Sequence, residues 1–316
     1  MRHALSSLRF LRRTWLGCLF GLVSIPLASR TVPAADPIRV LIVDGQNNHD
    51  WQRTTPYIRN FLEATGRFKV AVSTTPEKGA PADAWNAFRP AFAEFDVVLS
   101  NYNGETWPSD VRRDFEAFVH AGGGVVNVHA ANNPFADWDA FNQMIGLAWR
   151  RADFGPRLVL DDAGQQVRIP AGEGPGAGHG PQHAYPVIVR EPEHPVVRGF
   201  PREWLHPADE LYHGQRGPAE GMHILATAYS SHDQHGTGFH EPMVWWIGYG
   251  EGRVFTTLLG HVGRNQSPET WPMRDVAFQT LVARGCEWVA TGSVPLPLPA
   301  EMPTAESVQL APPAGE

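Results

Sequence analysis

The segment from Gly122 to Pro134, with the sequence Gly-Gly-Gly-Val-Val-Asn-Val-His-Ala-Ala-Asn-Asn-Pro, most restricts the folds open to this chain. Its glycine turn leads into the β-branched run 125–128, which ends at His129 before small and turn-forming residues. This order predicts a buried strand followed by a sharp bend. Ligands of open α/β sheets bind beyond the carboxyl ends of the strands, so His129 is a candidate for chemistry. The bend is similar to a nucleophile elbow in which an imidazole replaces the usual Ser or Cys.

The chain before this segment alternates between strand-like and helix-like patterns. Apolar runs predict strands and amphipathic runs predict helices between them. The main predicted elements are strands at 38–43, 68–73 and 95–100 and helices at 54–65 and 109–120. This alternation predicts an α/β fold with a doubly wound, mostly parallel sheet and helices on both faces.

The later part of the chain is less regular. Residues 150–240 are rich in glycine and histidine, and we expect a long loop-rich insertion there that acts as a lid or as a rigid wall. Residues 36–292 form the predicted α/β domain. Residues 293–316 are rich in Pro, Ala and acidic residues, so we expect a disordered tail.

The first 35 residues have the composition of an export signal. They contain five Arg and no acidic residue, and their apolar run 15–27 leads into small residues. The Arg12-Arg13 pair also fits a twin-arginine signal, so ordinary secretion and twin-arginine export are both open. The apolar run is shorter than the ~20 residues of a spanning helix, and Cys18 follows a poor lipobox, so an anchor is less favoured. We expect a periplasmic or secreted protein with no stable membrane span once the signal is removed.

Charge and glycine content exclude several classes of partner. Without residues 1–35 the chain has 21 basic and 33 acidic residues, a net charge of −12, and we expect no nucleic-acid partner. The glycine-rich segment 174–180 lacks a following Lys-Ser/Thr and a strand-to-helix context, so no nucleotide cofactor is expected. Cys286 is then the only cysteine, and its apolar neighbours predict a core position. The oligomeric state is left open by the sequence.

Histidines follow several predicted strands at the position where the strands end. His49 follows the first strand, His129 the fourth and His261 the last, and the segment 204–213 adds Glu210. Because the carboxyl ends of parallel strands share one edge of a sheet, we expect these side chains to meet. Imidazole and carboxylate groups suit a divalent metal such as zinc, and they equally suit metal-free acid/base chemistry near neutral pH. The sequence therefore predicts His129, His261 and Glu210 as catalytic residues and, together with His49, as candidate metal ligands.

Six pieces of the chain, in order, resemble the ThuA-like family, which is named for trehalose utilisation. The pieces are residues 38–45 with His49, 122–131, 194–199, 209–212, 242–245, and 249–255 with 259–261. The resemblance covers about residues 38–290 and implies a class I glutamine amidotransferase-like, flavodoxin-like fold. In amidotransferases of that fold the elbow carries a Cys nucleophile. Here His129 takes that position with no Cys nearby, which excludes glutamine hydrolysis through a thioester.

The resemblance also implies a retained cleft and an association with sugar metabolism. We expect a secreted carbohydrate-processing enzyme, a hydrolase, lyase or isomerase, whose partner is a small sugar or keto-sugar. Asn132, Asp209, Trp245 and His49 are the expected substrate contacts. The alternative is a non-catalytic sugar-binding or scaffold protein that keeps the cleft. A peptidase or amidase would need a metal-dependent mechanism, because the elbow offers no Ser or Cys nucleophile.

Overall fold

The computed structural model describes residues 36–313, so the predicted export signal at 1–35 lies outside the described residues. Over that range the chain forms thirteen β-strands and five α-helices. The strands are β1 (Ile38–Asp44), β2 (Phe68–Thr74), β3 (Val97–Ser100), β4 (Gly124–Val128), β5 (Arg157–Leu160), β6 (Gln166–Ile169), β7 (Gly178–His179), β8 (His183–Val189), β9 (Glu203–Asp209), β10 (Tyr212–His213), β11 (His223–Tyr229), β12 (His240–Tyr249) and β13 (Gly252–Thr257). The helices are α1 (Trp51–Ala64), α2 (Ala82–Ala87), α3 (Ser109–His120), α4 (Asp139–Ile145) and α5 (Val276–Thr291). None of the helices in residues 36–313 is both long and apolar enough to cross a membrane.

The first four strands and the last one build the parallel part of the central sheet. They lie in the order β2-β1-β3-β4-β13, and every neighbouring pair among them is parallel. The predicted α/β fold with a parallel central sheet is confirmed. Because these strands run in one direction, the loops that follow β1, β3, β4 and β13 lie at the same edge of the sheet.

Successive residues of the parallel strands contribute to two different hydrophobic clusters. Val40 and Ile42 of β1 lie in a cluster that includes buried residues of α1 and α5. Leu41 and Val43 lie in a second cluster with buried residues of α3 and α4. This alternation follows from the period of two along a strand, and each such aliphatic side chain stabilises the fold by about 1.5–3 kcal/mol on burial.

Residues 150–240 contain seven strands and mostly continue the sheet, which differs from the predicted loop-rich insertion. After β13 the order is β12-β11-β8-β9, all antiparallel, while the β5–β6 hairpin pairs with β12. β7 and β10 form a separate two-stranded ribbon. Several of these strands are very short, and the pairings of β11 with β12 and of β8 with β9 contain register shifts. Their alternating pattern is therefore weak in the sequence.

The predicted disordered tail is also wrong for residues 293–313, which follow a defined path along the domain. Leu205 N–H donates to the carbonyl of Thr304, and Val276 N–H donates to that of Gln309. The apolar side chains of this segment that pack on the core are Val294, Leu296, Leu298 and Met302. The Pro-rich and acidic composition of this segment favours disorder. Composition alone does not reveal hydrogen bonds to backbone groups that are distant in the sequence. Residues 314–316 lie outside the described residues.

Candidate functional site

His129 occupies the bend after β4 in a backbone conformation that few residues other than glycine adopt. Its φ is +49°, and a 3₁₀ turn, His129–Asn132, follows directly. Such a conformation persists only where the surrounding structure imposes it. The predicted sharp bend is confirmed, and the imidazole is buried, with 3% of the residue exposed.

The structure brings His49, His129, His261 and Glu210 together. The ring centroid of His49 lies 4.7 Å from that of His129 and 4.8 Å from that of His261. Glu210 Oε1 is 3.2 Å from His261 Nε2, and Oε2 is 3.8 Å from His129 Nε2. The three imidazoles come from the loops after β1, β4 and β13, and Glu210 lies directly after β9. These positions match the meeting of strand ends that the sequence predicts.

Hydrogen bonds decide which nitrogen of two imidazoles carries a proton and which carries a lone pair. His129 Nδ1 lies 2.7 Å from the carbonyl oxygen of Leu258, which can only accept, so Nδ1 carries the proton and Nε2 a lone pair. His49 Nδ1 lies 3.1 Å from Oδ1 of Asn47, whose amide nitrogen donates to the carbonyl of Asn101. His129 Nε2 is buried and has no hydrogen-bond partner among the described residues. Both rings therefore present an unprotonated Nε2.

His49, His129 and Glu210 together form a candidate metal site. One ligand atom from each lies within 4.8 Å of the others. A tetrahedral ion with bonds of about 2.0 Å separates its ligands by about 3.3 Å, so small side-chain movements would close the set. Two imidazoles and a carboxylate form a ligand set of catalytic zinc sites, which leave one position open. The unpartnered lone pair of His129 fits such an ion.

His261, also predicted as a ligand, instead acts as a partner of Glu210. The Gln182 side-chain amide donates to His261 Nδ1 at 3.0 Å. With Nδ1 as acceptor, His261 Nε2 carries the proton, and it lies 3.2 Å from Glu210 Oε1. In this tautomer neither ring nitrogen of His261 offers a lone pair to a metal.

Burial sets the charge state of the cluster. Desolvation, reinforced by the neighbouring imidazoles, lowers the pKa of His49 to about 2. Desolvation likewise lowers the pKa of His129 to about 4. Burial raises the pKa of Glu210, while nearby imidazoles oppose that change. The two rings are therefore neutral near pH 7, which is the form that binds metal ions.

Asp209 was predicted to contact substrate, and its burial contradicts that prediction. Its Oδ1 accepts from the backbone N–H groups of Glu210 at 2.7 Å and of His261 at 3.2 Å. Its Oδ2 accepts from Gly260 N–H and from His206 Nε2, both at 2.8 Å. The residue is fully buried, so a substrate cannot reach it. One carboxylate thus fixes the backbone of two residues of the cluster.

His206 lies between two carboxylates under the cluster. Its Nε2 contacts Asp209, and its Nδ1 lies 2.6 Å from Oδ2 of Asp275, the residue that caps α5. Burial opposes a charge here, but the hydrogen bonds to both carboxylates outweigh it and raise the pKa of His206 to about 9. The ring is therefore an imidazolium that donates from both nitrogens.

Asn132 and Trp245, the other predicted substrate contacts, are core residues. Asn132 is fully buried and donates to the Leu147 carbonyl at 3.1 Å and to Gln215 Oε1 at 3.0 Å. Trp245 is also fully buried, and its Nε1 donates to the carbonyl of Ile145 at 2.8 Å. Neither side chain is accessible to a sugar, so both predictions are wrong.

Sequence reasoning missed His179, which lies on the ribbon of β7 and β10. Its Nε2 is 3.6 Å from Glu210 Oε1, and 36% of its side chain is exposed. Its ring stacks with that of Tyr212, which in turn lies 4.5 Å from the ring of His129. A two-residue strand leaves no periodic pattern, so no signal for His179 existed. Tyr212 could have been found, because it lies two residues after Glu210 in the segment 209–212.

Comparisons with known proteins agree with this architecture. A model of the family ThuA, described as trehalose utilisation, matches residues 39–289. A comparison with curated proteins finds no match. The crystal structure of a ThuA-like protein from Parabacteroides merdae is 39% identical, with 87% of this chain and 98% of that chain covered and a TM-score of 0.83. A ThuA-like protein from Bacteroides uniformis shares the fold at 17% identity, with 84% and 99% covered and a TM-score of 0.54.

The family description concerns the use of a disaccharide, which gives the protein a carbohydrate-related role. The family model spans most of the chain, and the 39% identity to the P. merdae structure extends over nearly all of that protein. On both grounds the chain belongs to the ThuA-like family of trehalose utilisation.

Proposed function

We propose that this protein is an exported enzyme that processes a sugar or keto-sugar as a hydrolase, lyase or isomerase. The observation that carries the proposal is the cluster of two neutral imidazoles and a carboxylate, with ligand atoms within 4.8 Å of one another. His129 Nε2 is also buried without a hydrogen-bond partner among the described residues, so its lone pair is available to a ligand. The family's carbohydrate-related role supplies the substrate class.

The cluster suits a divalent cation such as zinc, which His49, His129 and Glu210 would hold. When bound, such an ion supplies Lewis-acid polarisation of a substrate oxygen. The Leu258 carbonyl and the Asn47 amide support this role, because each bonds the far nitrogen of a ligand imidazole. Partners of this kind orient metal ligands and increase their basicity.

Proton transfer is best assigned to His179. Its Nδ1 lies 2.7 Å from the carbonyl of Gly180, so Nδ1 carries the proton and Nε2 is free to accept one. That Nε2 lies beside Glu210, and the half-exposed ring is open to solvent and to a substrate. His261 is less suited, because Gln182 donates to its Nδ1 and its protonated Nε2 cannot accept a proton.

The test is elemental analysis of the purified protein and of three variants. His49→Ala and His129→Ala each remove one proposed ligand. The matched control is His120→Ala, which alters an exposed imidazole at the end of α3 and near the opposite edge of the sheet. We expect about one metal ion per chain in the wild type and the control, and less than a tenth of that in the two ligand variants. Sugars and keto-sugars, including trehalose, are then assayed for turnover with and without the metal.

Two outcomes would contradict the proposal in different ways. Failure to retain zinc, manganese or iron(II) after reloading would exclude the metal role, and turnover would then depend on acid/base chemistry alone. Sugar binding without turnover of any sugar or keto-sugar would favour the non-catalytic alternative.

A further inference from the structure

His261 lies almost as close to the proposed metal ligands as those ligands lie to one another. Its ring centroid is 4.8 Å from that of His49 and 5.4 Å from that of His129, whereas the centroids of His49 and His129 are 4.7 Å apart. A lone pair on His261 Nε2 would therefore add a third imidazole to the ligand set. Since distance does not exclude His261 as a ligand, the position of its ring proton does.

The number of protein ligands separates two kinds of zinc site. Structural sites have four protein ligands, whereas catalytic sites have three and leave one position open. His49, His129 and Glu210 supply three. With His261 as a fourth ligand, the set would fill a tetrahedral ion and exclude a substrate oxygen. The tautomer of His261 therefore selects between a closed and an open site.

Gln182 contacts the ring nitrogen of His261 that faces away from this choice. It lies directly before β8, and its side-chain nitrogen is 3.0 Å from His261 Nδ1. Burial raises the pKa of Glu210, and a hydrogen bond from the Gln182 side chain is among the contacts that oppose this change. An ionised carboxylate only accepts, so the amide turns its nitrogen toward the pair. An amide nitrogen only donates, which leaves Nδ1 as an acceptor and puts the proton on Nε2.

This proton also distinguishes the two oxygens of Glu210. Oε1 lies 3.2 Å from His261 Nε2 and 3.6 Å from His179 Nε2, while Oε2 lies 3.8 Å from His129 Nε2. Oε1 is thus next to the N–H of His261, and Oε2 is next to a ligand imidazole. Groups that hydrogen-bond a metal ligand in this way orient it, and their loss typically changes metal affinity by about 10–100-fold.

We propose that Gln182 is a positioning residue that holds His261 in the Nε2–H tautomer and thereby keeps one position of the metal site open for substrate. This inference rests on the proposed function, because it concerns the ligand set of the same site. Gln182 acts through His261 and is not itself a ligand. Its amide is required, because a carboxylate at the same place would accept a proton from Nδ1 and leave a lone pair on Nε2.

The direct test is the tautomer of His261 in the metal-free protein, measured by NMR of isotope-labelled imidazole nitrogens. His261→Ala identifies the signal by its loss. We expect the Nε2–H form in the wild type and in Gln143→Glu, the matched control, which makes the same change at an exposed glutamine of α4. Gln182 is also exposed, so Gln182→Glu places an ionised carboxylate beside Nδ1 near pH 7. We expect the Nδ1–H form in that variant.

The second measurement is zinc affinity, determined by competition with a chelator, together with the visible absorption spectrum of the cobalt(II)-loaded protein. Gln182→Glu should bind zinc at least about tenfold more tightly than the wild type, and its cobalt spectrum should change because a ligand is added. The double variant Gln182→Glu/His261→Ala should lose both effects. Gln143→Glu should match the wild type in both measurements.

An Nδ1–H tautomer in the wild type, or one tautomer shared by the wild type and Gln182→Glu, would overturn the inference. A gain in zinc affinity that persists without the His261 ring would also overturn it, because added charge alone would then explain the gain. Either result in a protein that retains metal and turnover would overturn the inference alone. A protein that retains no metal, but whose tautomers differ as stated, would overturn the proposed metal role and support the control of His261 by Gln182.

Discussion

The Asp209 carboxylate and the His206 imidazole lie 2.8 Å apart, and neither residue has any solvent exposure. Asp209 also accepts hydrogen bonds from the backbone of Glu210 and His261, so this charged pair lies directly beneath the candidate site. On the other side His206 contacts Asp275 at the start of α5. The position of the site residues therefore depends on a buried ionic network that connects a sheet edge to a helix.

The first prediction concerns the stability of this network. His206→Gln should lower the free energy of unfolding by about 3–5 kcal/mol, because two buried carboxylates lose their cationic partner. Urea denaturation measures the effect. His120→Ala, which changes an exposed imidazole, should stay within about 0.5 kcal/mol of the wild type. A His206→Gln protein as stable as the wild type would contradict the network.

The second prediction is a loss of stability at alkaline pH. The hydrogen bonds to Asp209 and Asp275 raise the pKa of His206 in the folded state to about 9, above the ordinary value of 6.5. Its contribution is therefore complete below pH 6.5 and is lost as the pH rises through about 9. We expect the unfolding free energy of the wild type to fall by about 3 kcal/mol over that interval, and His206→Gln to lack this fall. Urea titrations at several pH values would refute the assignment if both proteins showed the same dependence.

The third prediction separates Trp245 from sugar binding. Trp245→Phe keeps most of the packing but removes the indole N–H that donates to the Ile145 carbonyl. That carbonyl keeps the Leu147 N–H as a donor at 2.8 Å, so the loss should cost about 1 kcal/mol. Trp245→Ala should cost about 3–5 kcal/mol because it opens a cavity in the core. Sugar affinity of the folded Phe variant should equal that of the wild type. Weaker sugar binding at unchanged stability would restore the sequence-based prediction of a substrate contact.

The fourth prediction concerns the segment 293–313. A chain that ends at residue 292 loses the acceptors of the Leu205 and Val276 N–H groups and exposes apolar surface that the segment covers. We expect its thermal midpoint to fall by several degrees, since each lost hydrogen bond costs about 1 kcal/mol and the apolar contacts add to this. A chain that ends at residue 313 is the matched control and should unfold like the full-length protein. Equal midpoints for all three would mean that the segment contributes nothing to stability.

Local sequence was enough to predict the parallel sheet, its first helices and the strand-end histidines. The run 125–128 is short, but it is rich in Val, follows a glycine turn and ends before small residues, so both the strand and the bend at His129 could be predicted. The burial of Cys286 was predicted on the same kind of evidence and is confirmed. The antiparallel strands of residues 150–240 were harder to predict from sequence. Short, bulged strands are stabilised by pairing with neighbouring strands, and their own residue pattern is weak.

What the sequence by itself determined is where the strands end and which ionisable residues follow them, because hydrophobic periodicity is a local property. Only the tertiary structure decided that Glu210 faces the cluster while its neighbour Asp209 is buried beneath it. It also decided that Trp245 packs in the core and that His179 reaches Glu210. These outcomes depend on hydrogen bonds and packing between residues far apart in the chain, and no local pattern records them.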